Sequence, residues 1–182
     1  MHPSKKIVLT LSHLVDQDHY LFTLLDLQSI LPHYDRQQLK MIAHRIVKSG
    51  FLKRVCRGLY LYPHANYPRG LVLYHAAARL RASEFNYLSL ESTLSDAGVI
   101  SQIPMNWITL MSSGRSHIVD CGDFGKIEFI HTQRLFNKPT PELAYDSQCH
   151  LWRASVKLAL QDMKLTHRKK DLINWEAAHE LV

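Results

Sequence analysis

What this chain has little of narrows it first. No apolar run reaches the roughly 18 residues that a membrane span requires, because Lys, Arg, His or Asp interrupts every candidate stretch. The opening Met1-His2-Pro3-Ser4-Lys5-Lys6 is charged, but no small-residue cleavage site follows its short apolar stretch, so a cytoplasmic protein is expected. Cysteine is scarce: Cys56, Cys121 and Cys149 are an odd number without paired spacing. They argue against a disulfide framework or a zinc site and for ordinary reduced thiols. Charged residues make up 21%, too few for a disordered chain, whereas the 46% hydrophobic share is that of a globular one. The 182 residues allow one ordinary domain, or a small one joined to a medium one.

Acids are scarcest at the N-terminal end. Residues 1–70 hold only Asp16, Asp18, Asp26 and Asp35 against ten Lys or Arg, whereas residues 71–182 hold twelve of each sign. The whole net charge of +6 therefore lies in the first 70 residues. A basic module beside a neutral one suggests a polyanion-binding part joined to a part with another task.

Three helical patterns and a hairpin fill the basic module. Ser4 is a candidate cap for a helix in which Ile7, Leu11, Leu14 and Val15 repeat at helical spacing. Asp16-Gln17-Asp18-His19 breaks it, and Thr23 with Asp26 reads as a capping box for a short helix that Pro32 stops. Asp35 with Gln38 opens a third helix, which runs to Ser49 and the left-handed cap expected at Gly50. Strands at Phe51–Val55 and Leu59–Tyr62 follow, joined through Cys56-Arg57-Gly58, and Pro63 and Pro68 mark a boundary. Helix, short helix, turn, longer helix and basic hairpin is the order of a winged helix-turn-helix.

The third helix carries the functional expectation. Leu39, Ile42, Ala43, Ile46 and Val47 form its apolar stripe. The opposite face is Gln37, Met41, His44 and Lys48, flanked by Lys40 and Arg45, with no acid after the cap. Such a face suits a major groove, because Gln bonds adenine edges, Arg or Lys bonds guanine, and Met touches a thymine methyl. Gln37, Lys40, Met41, His44 and Arg45 are expected near the bases. Lys48, with Lys53, Arg54 and Arg57 on the hairpin, is expected at phosphates, and Arg36 completes the DNA-binding set.

Past residue 70 the pattern changes. Leu71–Leu80 is an apolar helical run, and Phe85-Asn86-Tyr87-Leu88 leads to Ser89, a candidate cap for a helix over Leu90–Ala97 ended by Gly98. Trp107–Met111 reads as a strand, and His117–Cys121 with Lys126–His131 as a hairpin around Gly122-Asp123-Phe124-Gly125. Ser112-Ser113-Gly114-Arg115-Ser116 reads as a hairpin connection, Asn137–Pro141 as loop, and the last forty residues as helical with breaks near Thr166–Lys169. The fold class expected is α+β: a winged helix-turn-helix over residues 1–68, then a mixed α+β domain over 69–182. No internal repeat or low-complexity tract is visible.

Signs of catalysis are weak. His64 and His75 lack a partner at the i+4 spacing of a helical metal site, and no His-Glu-x-x-His occurs. Asp120, Asp123 and Glu128, with Lys126, resemble the carboxylates of a metal-dependent nuclease, but Asp123 falls in the expected turn. Glu128 is also followed by Phe-Ile-His, without the lysine two residues on that such a site usually supplies. No enzyme activity, cofactor or metal is expected.

Four segments together resemble the AbiEi antitoxin family, the transcriptional-regulator halves of type IV toxin–antitoxin and abortive-infection modules. The first joins Phe22-Thr23-Leu24-Leu25-Asp26-Leu27 with Ile46-Val47-Lys48-Ser49-Gly50-Phe51-Leu52 and Arg57-Gly58-Leu59-Tyr60. The second is Tyr87-Leu88-Ser89-Leu90-Glu91-Ser92-Thr93-Leu94-Ser95-Asp96-Ala97-Gly98-Val99-Ile100. The third runs from Ile108-Thr109-Leu110 through Gly114-Arg115-Ser116 to Phe124–His131, and the fourth is Ala154–Asp162. The resemblance implies a repressor that binds inverted repeats in its own promoter as double-stranded DNA. It also implies a functional partner, a nucleotidyltransferase toxin countered without a stable complex, with the C-terminal domain needed for that antitoxicity. A free-standing winged-helix transcription factor and a nuclease with a DNA-binding arm are the alternative readings.

Overall fold

A computed structural model describes residues 2–101, 106–134 and 140–182. The chain is of mixed α and β structure and divides into two compact units, Met1–Val72 and Leu73–Val182.

The first unit contains helix α1 (Pro3–Leu14), strand β1 (Leu21–Thr23), helices α2 (Leu24–Ile30) and α3 (Arg36–Lys48), and strands β2 (Lys53–Cys56) and β3 (Leu59–Leu61). Both expected capping boxes form. Asp26 N–H donates to Thr23 Oγ1 at 3.3 Å while Thr23 N–H donates to Asp26 Oδ2 at 2.6 Å. Gln38 N–H donates to Asp35 Oδ1 at 2.8 Å and Asp35 N–H to Gln38 Oε1 at 3.0 Å. These reciprocal bonds satisfy amides that a helix start leaves without intrahelical partners. Ser4 does not cap α1. Pro3 takes the first helical turn, where its missing N–H costs nothing, and His2 stands at the cap without a side-chain bond.

The apolar stripe of α3 is buried as its spacing requires. Leu39, Ile42, Ala43 and Ile46 meet Ile7 and Leu11 of α1, Leu27 and Leu31 of the α2 segment, and Phe22, Leu52, Tyr60 and Tyr62 from the sheet side. Ser49 ends α3, and Gly50 takes φ +80°, a left-handed conformation that glycine adopts without strain. The strands form a sheet in the order β1-β3-β2, antiparallel throughout. A bulge between Arg54 and Cys56 breaks the two-residue alternation of β2. It turns Lys53 and Arg54 both outward and Val55 and Cys56 both inward.

The second unit is built on a six-stranded sheet in the order β6-β7-β5-β4-β9-β8. Its strands are β4 (Asn86–Leu88), β5 (Trp107–Ser112), β6 (His117–Asp120), β7 (Lys126–His131), β8 (Leu143–Asp146) and β9 (Leu151–Ala154). Its helices are α4 (Val72–Leu80), whose first residue belongs to the first unit, α5 (Leu90–Asp96), α6 (Val156–Leu165) and α7 (Trp175–Glu180). Leu90, Leu94, Leu158, Ala159 and Met163 of α5 and α6 pack with Tyr87, Met111 and Ala154 of the sheet.

Three expectations for this unit are corrected. The chain from 143 to 154 is not helical: it forms β8 and β9, with β9 parallel to β4. Ser112–Ser116 is not a hairpin connection, because β5 pairs in parallel with β7, and β6 lies on the far side of β7. The connection crosses the end of β7, where His131 N–H donates to Ser116 Oγ at 2.9 Å. Ser89 stands at the start of α5 but does not cap it. Its hydroxyl donates at 2.7 Å to Asp162 Oδ2, inside the core. Of the loop expected at Asn137–Pro141, residues 137–139 lie outside the described residues.

Candidate nucleic-acid interface

Burying four residues of α3 against the core fixes which side faces outward. At 3.6 residues per turn, Gln37, Lys40, Met41, His44 and Arg45 must then share the opposite side. The structure brings these five together, all exposed, around one open depression of about 450 Å³. Met41 is 53% exposed, an apolar side chain left out of the core beside cations. Arg36 and Lys48 stand exposed at the two ends of the same helix.

The electrostatics of this surface are one-sided. The nearest acid on the helix, Asp35, is used up at the cap by Gln38. Among the described residues, no hydrogen bond or ion pair engages the side chains of Gln37, Lys40, His44, Arg45, Lys48 or Arg57. Four donors or cations that no group of the protein engages among the described residues, around a methionine, form a surface suited to a polar, negatively charged partner.

The hairpin presents its own charge. Lys53 and Arg54 stand exposed on β2, and Arg57 is exposed at the turn, where Gly58 takes φ +82°. Arg54 Nε donates to the Cys56 carbonyl at 3.3 Å, which steadies one guanidinium edge. Together α3 and the hairpin carry all ten residues expected to contact DNA, all of them exposed.

The residues weighed for chemistry are engaged elsewhere. Asp120 accepts from Gly122 N–H at 2.8 Å at the turn, and Asp123 lies in that turn. Glu128 accepts from Trp107 Nε1 at 3.2 Å and pairs with Arg168 at 2.5 Å. Among the described residues, no three His, Cys, Asp or Glu groups gather as metal ligands. His64 packs edge-on against Tyr62, and His75 stacks on His150 at 4.5 Å while its Nε2 meets the Gln148 carbonyl at 2.7 Å. The three cysteines are buried and form no disulfide among the described residues, and burial pushes the Cys149 thiol up to about 11, so that it stays protonated at neutral pH.

Sequence reasoning passed over a second group of cations, in the other unit, where Arg134 joins Lys164, Arg168 and Lys170 around an open depression. Its signal was the run Lys164 to Lys170 after an apolar helix. No protein-family model matches the chain, and no curated protein matches it at a significant level.

Proposed function

We propose that the first unit is a winged helix-turn-helix that binds double-stranded DNA, with α3 as the recognition helix and the β2–β3 hairpin as the wing. The observation that carries this reading is the acid-free face of α3, where Gln37, Lys40, Met41, His44 and Arg45 surround one open depression without partners of their own. The exposed face of a helix 13 residues long fits a major groove, which admits one α-helix and displays the donors and acceptors these side chains match. The charge distribution supports it as well, since the protein's whole positive excess lies in this unit.

On this reading the protein is a sequence-specific transcriptional autorepressor without catalytic activity, acting in the cytoplasm. The resemblance of its four segments to AbiEi antitoxins extends the proposal to the antitoxin of a type IV module. Its operator would be inverted repeats in its own promoter, and its functional partner a nucleotidyltransferase toxin. A reporter driven by the native upstream region tests the repressor role. Expression of the protein should silence it, and a His44→Ala/Arg45→Ala variant should not. Equal reporter output with and without the wild-type protein would refute autorepression. Growth rescue from an adjacent nucleotidyltransferase gene then tests the antitoxin role separately.

A further inference from the structure

The last turn of α6 and the chain that leaves it build a cationic depression in the second unit. Its volume is about 830 Å³, within the range of small-molecule sites. Arg134, Gln161, Lys164, His167, Arg168 and Lys170 supply its polar lining, Met163 and Leu165 its apolar lining, and among the described residues no carboxylate lines it. The unit as a whole carries equal numbers of both signs, so this concentration of one sign is a local segregation.

Two of the cations are held from below. Arg168 pairs with Glu128 at 2.5 Å and Glu91 at 3.6 Å, and Arg134 reaches the fully buried Asp162 at 3.4 Å. These carboxylates fix the guanidinium groups in place and offset part of their charge. Lys164, His167 and Lys170 form no side-chain hydrogen bond or ion pair among the described residues. Lys164 alone would be explained as a cation complementing the negative end of α6, but that effect fades within the last turn, and Lys170 lies beyond it.

The backbone adds an independent observation. His167 N–H donates to the Lys164 carbonyl at 3.3 Å and Arg168 N–H to the Met163 carbonyl at 3.0 Å, the paired bonds of a Schellman ending. The left-handed position of that motif usually holds glycine, yet here it is His167 at φ +53°. Placing a side chain there costs about 1 kcal/mol in backbone conformation, and it sets an imidazole on the rim of the depression.

We infer that this depression is a phosphate-binding site, taking the phosphate of a free nucleotide or of a nucleic-acid strand. Lys164 and Lys170 supply mobile charge, His167 a ring donor, and Arg134 and Arg168 fixed guanidinium edges.

Pyrophosphate and a ten-residue thymidine oligonucleotide, titrated into the full chain, test it and separate the two sources. Lys164→Gln/Lys170→Gln should weaken binding by about tenfold or more, the scale of two lost charge-assisted contacts. His167→Gly should weaken binding while leaving the melting temperature unchanged or raised, an opposition that a purely structural histidine would not give. Arg57→Ala, in the other unit, should leave pyrophosphate binding unchanged. Loss of pyrophosphate binding alone in the double variant identifies a free phosphorylated compound, and loss of oligonucleotide binding identifies a strand. The inference is overturned if neither probe binds the wild type, or if the double variant binds both as the wild type does.

Discussion

Removing Lys48 and Arg57 together should lower the salt dependence of DNA binding without unfolding the protein. Lys48 ends α3 and Arg57 sits at the turn of the hairpin, both exposed and without side-chain partners among the described residues. Their loss removes no packing. At most it forfeits the roughly 0.3–1 kcal/mol by which a lysine complements a helix C-terminus. Seven cations stand on the two elements: Arg36, Lys40, Arg45, Lys48, Lys53, Arg54 and Arg57. If all seven met phosphates, the slope of log affinity against log salt would be about −6, and five would give about −4.5. Over a fourfold rise in salt the wild type would then lose affinity about 4,000-fold, and the Lys48→Ala/Arg57→Ala variant about 500-fold. Fluorescence anisotropy on a labelled duplex, from 50 to 200 mM salt, reads both slopes. An unchanged slope in the variant, with its melting temperature intact, would refute the placing of both elements on one DNA backbone.

Other consequences follow from particular side chains. Gln37→Ala and His44→Ala should narrow the affinity gap between operator and altered operators, read by competition; a uniform loss across all duplexes would make them backbone contacts instead. Gly125→Ala should destabilise the chain by more than about 1 kcal/mol, because a Cβ there would clash with the Asn106 carbonyl oxygen and φ is +112°. Near-native chemical denaturation of that variant would contradict the turn geometry. Burial raises the Asp162 carboxyl above its ordinary 3.8, despite the bonds from Ser89 and Tyr87 and the nearby Arg134. A raised folded value means the unfolded chain releases that proton first, so this group's contribution to stability falls as pH rises from 3.8 through the folded value. Asp162→Asn should lack that decline, and identical stability–pH curves for variant and wild type would count against it.

The sequence made some elements plain and hid others, for physical reasons. The capping boxes at Thr23 and Asp35 close within four residues, so their signals are local, and both form. The outward face of α3 was readable because one buried stripe determines the rest of a helix. β1 escaped notice because three residues are too few for a period, and its pairing with β3 joins positions some forty residues apart. The segment at 143–154 reads as helical from its Leu, Ala, Gln and Arg content, but pairing of β9 with β4 overrides that weak preference. Ser89 looked like a cap because caps are common for serine, and only the packing of α6 shows Asp162 as its partner. The cationic depression needed Arg134 to meet residues thirty positions later, which no local pattern encodes.

The central claim, that the first unit reads duplex DNA through α3, is tested most directly by one titration. The purified full chain is measured against its native upstream duplex and a scrambled duplex of equal length and composition, across a salt series. Tight binding to the native duplex, weaker binding to the scrambled one, and a steep salt slope for both are the predicted result. Failure to bind either duplex at low salt would contradict the claim.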